Sequence, residues 1–189
     1  MSIRKKIFWI TRTAVLTALL VAMQFATAPL GNQFVTGSIG NLIMIVSLLT
    51  CGLATGLTVA ALSPVFAFIA GVGPAFPLLI PFIALGNMSL IIAWFLLELL
   101  NKSDKTGLRY RVVNCLIVIA AAIIKFLTLY TGIIKLALPF LLNLNEKQSA
   151  MISFLFSYPQ IITATIGGVL ALVIVPPIQK AINSRTQAA

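Results

Sequence analysis

Histidine is absent from this chain of 189 residues, and Glu98, Asp104 and Glu146 are its whole acidic complement. Those absences remove most hydrolytic chemistry. There is no H-E-x-x-H helix, no Cys/His cluster for zinc and no pair of carboxylates to act as acid and base, so metalloprotease and carboxylate-based glycosidase mechanisms have no groups to run on. No G-x-x-x-x-G-K-[ST] loop occurs, so the chain does not hydrolyse ATP by itself. Cys51 and Cys115 offer no disulfide framework and read as small buried hydrophobes. No enzyme activity, bound metal or cofactor is expected.

Charge is scarce as well. Only 8% of residues are charged and 60% are hydrophobic, against about 25% charged in ordinary soluble domains, which excludes a water-soluble globule. Crossing a bilayer core as helix takes about 17 or more apolar residues. Such runs lie at 7–28, 53–71, 78–100, 112–131 and 151–175, with a shorter one at 39–52. The expectation is an all-α integral membrane protein of six helices in one transmembrane domain over 1–189.

The net charge of +10 would suggest nucleic acid in a soluble protein, but its placement says otherwise. Arg4, Lys5, Lys6 and Arg12 open the chain, Lys102, Lys105, Arg109 and Arg111 separate the fourth and fifth spans, and Lys180 and Arg185 close it. Six crossings put all three clusters on one side, cytoplasmic by the positive-inside rule, with both termini. The basic balance is a topology signal, and no nucleic-acid partner is expected. Arg4-Lys5-Lys6 before an apolar run ending in Ala26-Thr27-Ala28 resembles a signal peptide, but the run is too long, contains Arg12 and is followed by Pro29. It reads as an uncleaved first span.

Turn chemistry gathers at Pro29-Leu30-Gly31-Asn32, at Gly71-Val72-Gly73-Pro74 with Pro77 and Pro81, and at Pro176-Pro177, all at expected span ends. Pro64 and Pro159 fall inside spans, where each is expected to kink a helix and free a backbone group. The expected outer loops, 29–38, 72–77 and 132–150, are almost uncharged. Asn32 and Thr36 on the first of them suit the mouth of a pocket for a small polar molecule.

Polar side chains within the spans mark the candidate site. Asn87 lies about 9 Å from the outer start of span four, Lys125 sits at similar depth on span five, and Tyr158 and Gln160 flank Pro159 on span six. An ionisable residue at membrane depth faces a cavity or a partner. Lys125 would meet a ligand carboxylate, phosphate or carbonyl in an outward-opening pocket. The competing readings are a protein partner, or a long stem that snorkels to the surface.

On span one, Ala14, Ala18, Ala22 and Ala26 recur every four residues, a small-residue face for close helix packing, whether inside the bundle or against another protein. This A-x-x-x-A face follows a basic start, and after it come a polar outer loop, a short second span, a Pro/Gly-rich loop after span three, and Leu85-Gly86-Asn87 in span four. In that order, over essentially the whole chain, these features resemble the substrate-binding S components of energy-coupling factor transporters. The resemblance implies a six-helix, multi-pass protein of a bacterial cell membrane that binds a water-soluble vitamin or related micronutrient from outside. It implies as partners a transmembrane coupling protein, docked on the face that maps to Ala14, Ala18 and Ala22, and two ATPase subunits. It also implies a pocket between the outer halves of spans four to six. The alternative is a self-sufficient secondary transporter, for which Glu98 would be the only intramembrane acid.

Overall fold

The computed structural model describes residues 3–101 and 107–187, and among them helix is the only regular structure. Lys102, Asp104 and Lys105 lie outside the described residues, as do the side chains of Arg4, Lys5 and Arg185. The helices are α1 Ile3–Thr27, α2 Gln33–Cys51, α3 Leu53–Ile69, α4 Ile80–Leu100, α5 Leu108–Leu129, α6 Leu138–Phe140, α7 Glu146–Leu155 and α8 Pro159–Gln187. Among the described residues, five segments are long and apolar enough to cross a membrane, namely Lys6–Leu30, Gln33–Cys51, Pro77–Leu100, Leu108–Phe140 and Glu146–Ile182, and Leu53–Ile69 is apolar but shorter. This is a multi-pass membrane bundle.

Several boundaries differ from the apolar runs, each for a physical reason. α2 starts at Gln33, not Ile39, because the polar residues Gln33, Thr36 and Ser38 are helical, Ser38 being buried. Asn32 caps α2, its side chain accepting from the Phe34 N–H at 2.9 Å, and so relieves one of the orphan donors of a helix start. α3, not α2, is therefore the short helix. α5 does not end at Thr131. It runs on through a widened π-helical stretch, Tyr130–Ala137, into α6, so much of the expected outer loop 132–150 is helix. The run 151–175 is not one helix, for α7 stops at Leu155 and Pro159 opens α8 rather than kinking it. Pro at the first helical position loses only an N–H that lacks a partner anyway. Pro176 and Pro177 do not end a span but lie inside α8, since proline's fixed φ is a helical one and the pair interrupts the ladder without turning the chain. Cys115 is exposed on α5 and Cys51 half-buried, neither a core hydrophobe.

α2 occupies the centre, in contact with α1, α3, α4 and α8, and α5 closes the bundle between α4 and α8. Glycine allows α2 and α8 to approach closely. A Cβ on Gly167 would lie 2.7 Å from both the Asn41 Cβ and the Ser38 carbonyl oxygen, and one on Gly37 would lie 3.0 Å from the Thr163 methyl. Side-chain contacts fix which ends meet. Thr13 of α1 donates to Thr55 at the start of α3, Gln179 of α8 donates to the Leu49 carbonyl near the end of α2, and Leu49, Glu98, Arg111 and Gln179 share one cavity. The first half of α1, the α2–α3 junction, the end of α4, the start of α5 and the end of α8 thus lie together.

Apolar packing falls into two clusters. The larger joins α1 to α5 and α8 around Leu20, Ile45, Val59, Ile91, Val118 and Ala171. The smaller, Leu79, Leu129, Ile133, Ala137 and Ile152, lies at the opposite end, where α7 covers the π-helical stretch.

Candidate functional site

At the seam between these clusters lies a cavity of about 150 Å³, with residues from both in its wall. Its polar lining is Gln24, Asn41, Ser63, Asn87, Lys125 and Gln160, and its apolar lining includes Leu20, Met44, Ile83, Leu129 and Phe156. Lys125 is 4% exposed and stands near the middle of the continuous segment Leu108–Phe140. Its Nζ donates to Asn41 Oδ1 at 2.6 Å. Asn41 Nδ2 donates in turn to Thr163 Oγ1 at 3.3 Å, and Thr163 Oγ1 donates to the Gln160 carbonyl at 3.2 Å. One polar chain thus links α5, α2 and α8. The close approach at Gly37 and Gly167 brings Asn41 and Thr163 within reach of each other.

Side-chain donors to free backbone carbonyls shape the remaining polar wall. Pro64 has no N–H for the Ala60 carbonyl one turn earlier, and Ser63 Oγ donates to that carbonyl at 3.1 Å. Asn87 Nδ2 then donates to Ser63 Oγ at 3.1 Å, which ties α4 to α3. The Leu155 carbonyl, at the end of α7, has no backbone donor either, as the last carbonyls of a helix lack one. Gln160 Nε2 and Gln33 Nε2 both fill the gap, at 2.9 and 3.0 Å. Gln24 Oε1 is buried with no hydrogen-bond partner among the described residues.

Of the residues singled out in the sequence, Asn87, Lys125 and Gln160 come together in this cavity, and Asn32, Thr36 and Tyr158 do not line it. Asn32 is the exposed cap of α2, Thr36 is half-buried beyond the wall, and Tyr158 is 53% exposed with its ring edge-on to Phe154. Sequence reasoning missed Asn41, Gln24, Ser63 and Thr163. A polar side chain inside an apolar run was the available signal for each, and Asn41 was the clearest, being an amide within the short run 39–52.

A family model described as "ECF transporter, substrate-specific component" matches residues 9–179. The chain belongs to that family. No curated protein and no solved structure gives a significant match. This S component is thus the substrate-specific subunit of an ECF transporter, a binding rather than a catalytic protein. Its α1 bears a second feature. Ala14, Ala18 and Ala22 are exposed, and with Trp9, Phe25, Leu62 and Phe66 they line an apolar groove of about 860 Å³ between α1 and α3. The alanine face of the S component is not spent on packing within its own bundle.

Proposed function

We propose that this S component takes a small water-soluble vitamin or related micronutrient from outside a bacterial cell into the cavity around Lys125, for delivery through a transmembrane coupling protein driven by two separate ATPases. Lys125 carries this reading. It is a buried cation whose protein partner is a neutral amide, so it can orient on Asn41 while keeping its charge for a ligand. Asn87 and Gln160 hold donors and acceptors around the same space, and Asn32, Thr36 and Tyr158 belong to the surface through which a solute approaches. No carboxylate lines the cavity among the described residues, so a cation-coupled secondary transporter would lack its usual coupling group.

In this reading the chain crosses the membrane six times, α7 and α8 together making the last crossing. Both termini are cytoplasmic, because Lys6 and Arg12 of α1, Arg109 and Arg111 at the start of α5 and Lys180 near the end of α8 belong to helix ends that lie together. The cavity then lies towards the outer end, beneath α7. The groove over Ala14, Ala18 and Ala22 receives the coupling protein, since small residues let another helix approach closely. The test is mass spectrometry of small molecules released by denaturing the purified chain. A metabolite is expected at near-unit stoichiometry in the wild type and absent from Lys125→Ala. No retained metabolite, or equal retention by the variant, overturns the proposal.

A further inference from the structure

Resting on the Lys125 cavity as the substrate site, we infer that the substrate is a compact monocarboxylate, no larger than a single-ring scaffold, that carries a hydrogen-bond donor and no phosphate group. Among the described residues Lys125 is the one ionisable side chain in the lining, and every other polar side chain there is an amide or a hydroxyl. A ligand with a single negative charge leaves the site neutral. A phosphate monoester carries about −1.5 to −2 at neutral pH and would leave excess charge in a dehydrated space with no second cation. An ammonium group would meet Lys125 with no carboxylate to hold it, and an unpaired buried charge is strongly disfavoured.

Hydrogen bonding narrows the class further. An ammonium has three N–H groups, and Lys125 uses one on Asn41, which leaves the others for a carboxylate. Gln24 Oε1 is a different kind of group, a buried acceptor without a partner. A carboxylate cannot satisfy it, whereas a ligand hydroxyl or N–H can, and buried polar atoms are in the great majority satisfied. Size sets the last bound. A cavity of about 150 Å³ matches the dry cavity that accepts benzene and falls below the roughly 300–1,000 Å³ of sites for drug-sized ligands. Fused-ring and nucleotide-sized solutes exceed the space of the empty cavity, and the walls of Leu20, Met44, Ile83, Leu129 and Phe156 suit a small apolar body.

The test is calorimetric and thermal-shift titration of the full chain in lipid nanodiscs with probes that share one ring: 3-hydroxybenzoate, 3-hydroxybenzamide, 3-hydroxyphenyl phosphate, 3-hydroxybenzylamine and benzoate. The hydroxybenzoate is expected to raise the unfolding temperature and to bind at least about 30-fold more tightly than the amide. Benzoate, lacking the donor, is expected to bind about five- to tenfold more weakly than hydroxybenzoate, and the phosphate and amine to produce no shift. Lys125→Met, shown folded by its own unfolding transition, should lose the preference for carboxylate over amide. Equal binding of carboxylate and amide, or binding of the phosphate or amine at or above the carboxylate, overturns the inference. Silence of every probe also rejects it, while the retained-metabolite measurement decides separately whether the chain is a substrate-binding subunit.

Discussion

Lys125 of α5 and Asn41 of α2, separated by 84 positions in the chain, meet at 2.6 Å in the middle of the bundle. The partner of the buried ammonium is an amide, which fixes its direction without cancelling its charge. A carboxylate there would have made a closed ion pair with nothing left for a ligand. This difference makes Asn41 as informative as the lysine.

Asn41→Asp should therefore stabilise the empty protein relative to Asn41→Ala yet abolish anion binding, because the new carboxylate occupies the ammonium. Asn41→Ala should lower stability by about 1.5–3 kcal/mol, the range for hydrogen bonds to charged groups. Thermal unfolding in detergent, paired with titration of the co-purified metabolite, checks both. Undiminished affinity in Asn41→Asp would contradict the pairing.

Lys125→Ala should weaken that metabolite by about 30- to 5,000-fold, since truncating one member of a buried charged pair costs about 2–5 kcal/mol. Lys125→Arg should rescue only in part, because a planar fork places its donors differently from a compact ammonium. Asn87→Ala and Gln160→Ala should each cost on the order of 1 kcal/mol of binding. Lys125→Met should lower the stability of the empty protein less than Asn41→Ala does, because escape from the ammonium's desolvation penalty offsets the hydrogen bond lost at Asn41 Oδ1. Calorimetry and thermal unfolding read these effects separately.

Ala18→Trp should put a bulky ring into the α1–α3 groove without reaching the Lys125 cavity. Metabolite retention by the isolated chain should persist while uptake by cells with a complete transporter falls at least about tenfold. Uptake at the wild-type rate would remove this face from the docking surface.

Single cysteines at Ile3 and Ser184, in a Cys51→Ser/Cys115→Ser background, should resist a membrane-impermeant thiol reagent in intact cells and react after permeabilisation. Ile3 and Ser184 lie at the termini that the six-crossing arrangement assigns to the cytoplasm. Labelling of either in intact cells would reverse the orientation.

The apolar runs of the sequence were enough to reveal a helical membrane bundle, because no other water-free arrangement satisfies a single chain's backbone so readily. They misplaced helix ends wherever polarity and helicity part company. Gln33 and Ser38 are polar yet helical because their side chains point inward, and the helix beyond Thr131 continues through residues that looked like a loop. At the site, Lys125, Asn87 and Gln160 were legible as costly groups at depth, since each needs a reason to be there. Their partners were not. Asn41 reaches Thr163 where Gly37 and Gly167 let α2 and α8 pack closely, and it meets Lys125 from 84 positions away, three-dimensional facts with no local signature. Asn32 looked like a rim residue, but its amide serves the Phe34 N–H, a capping role that its place just before an apolar helix could have disclosed.

Pro64 implies epistasis. Inside α3 it removes one backbone donation, and the side chain of Ser63 takes its place at the Ala60 carbonyl. Ser63→Ala should consequently cost about 1–3 kcal/mol beside Pro64, where it orphans a buried carbonyl, and much less in a Pro64→Ala background, where a backbone N–H is restored. The two substitutions should fail to add by a margin that a double-mutant cycle can resolve. Substitutions tolerated at Ser63 thus depend on whether position 64 is proline, so Ser63 and Pro64 behave as one genetic unit.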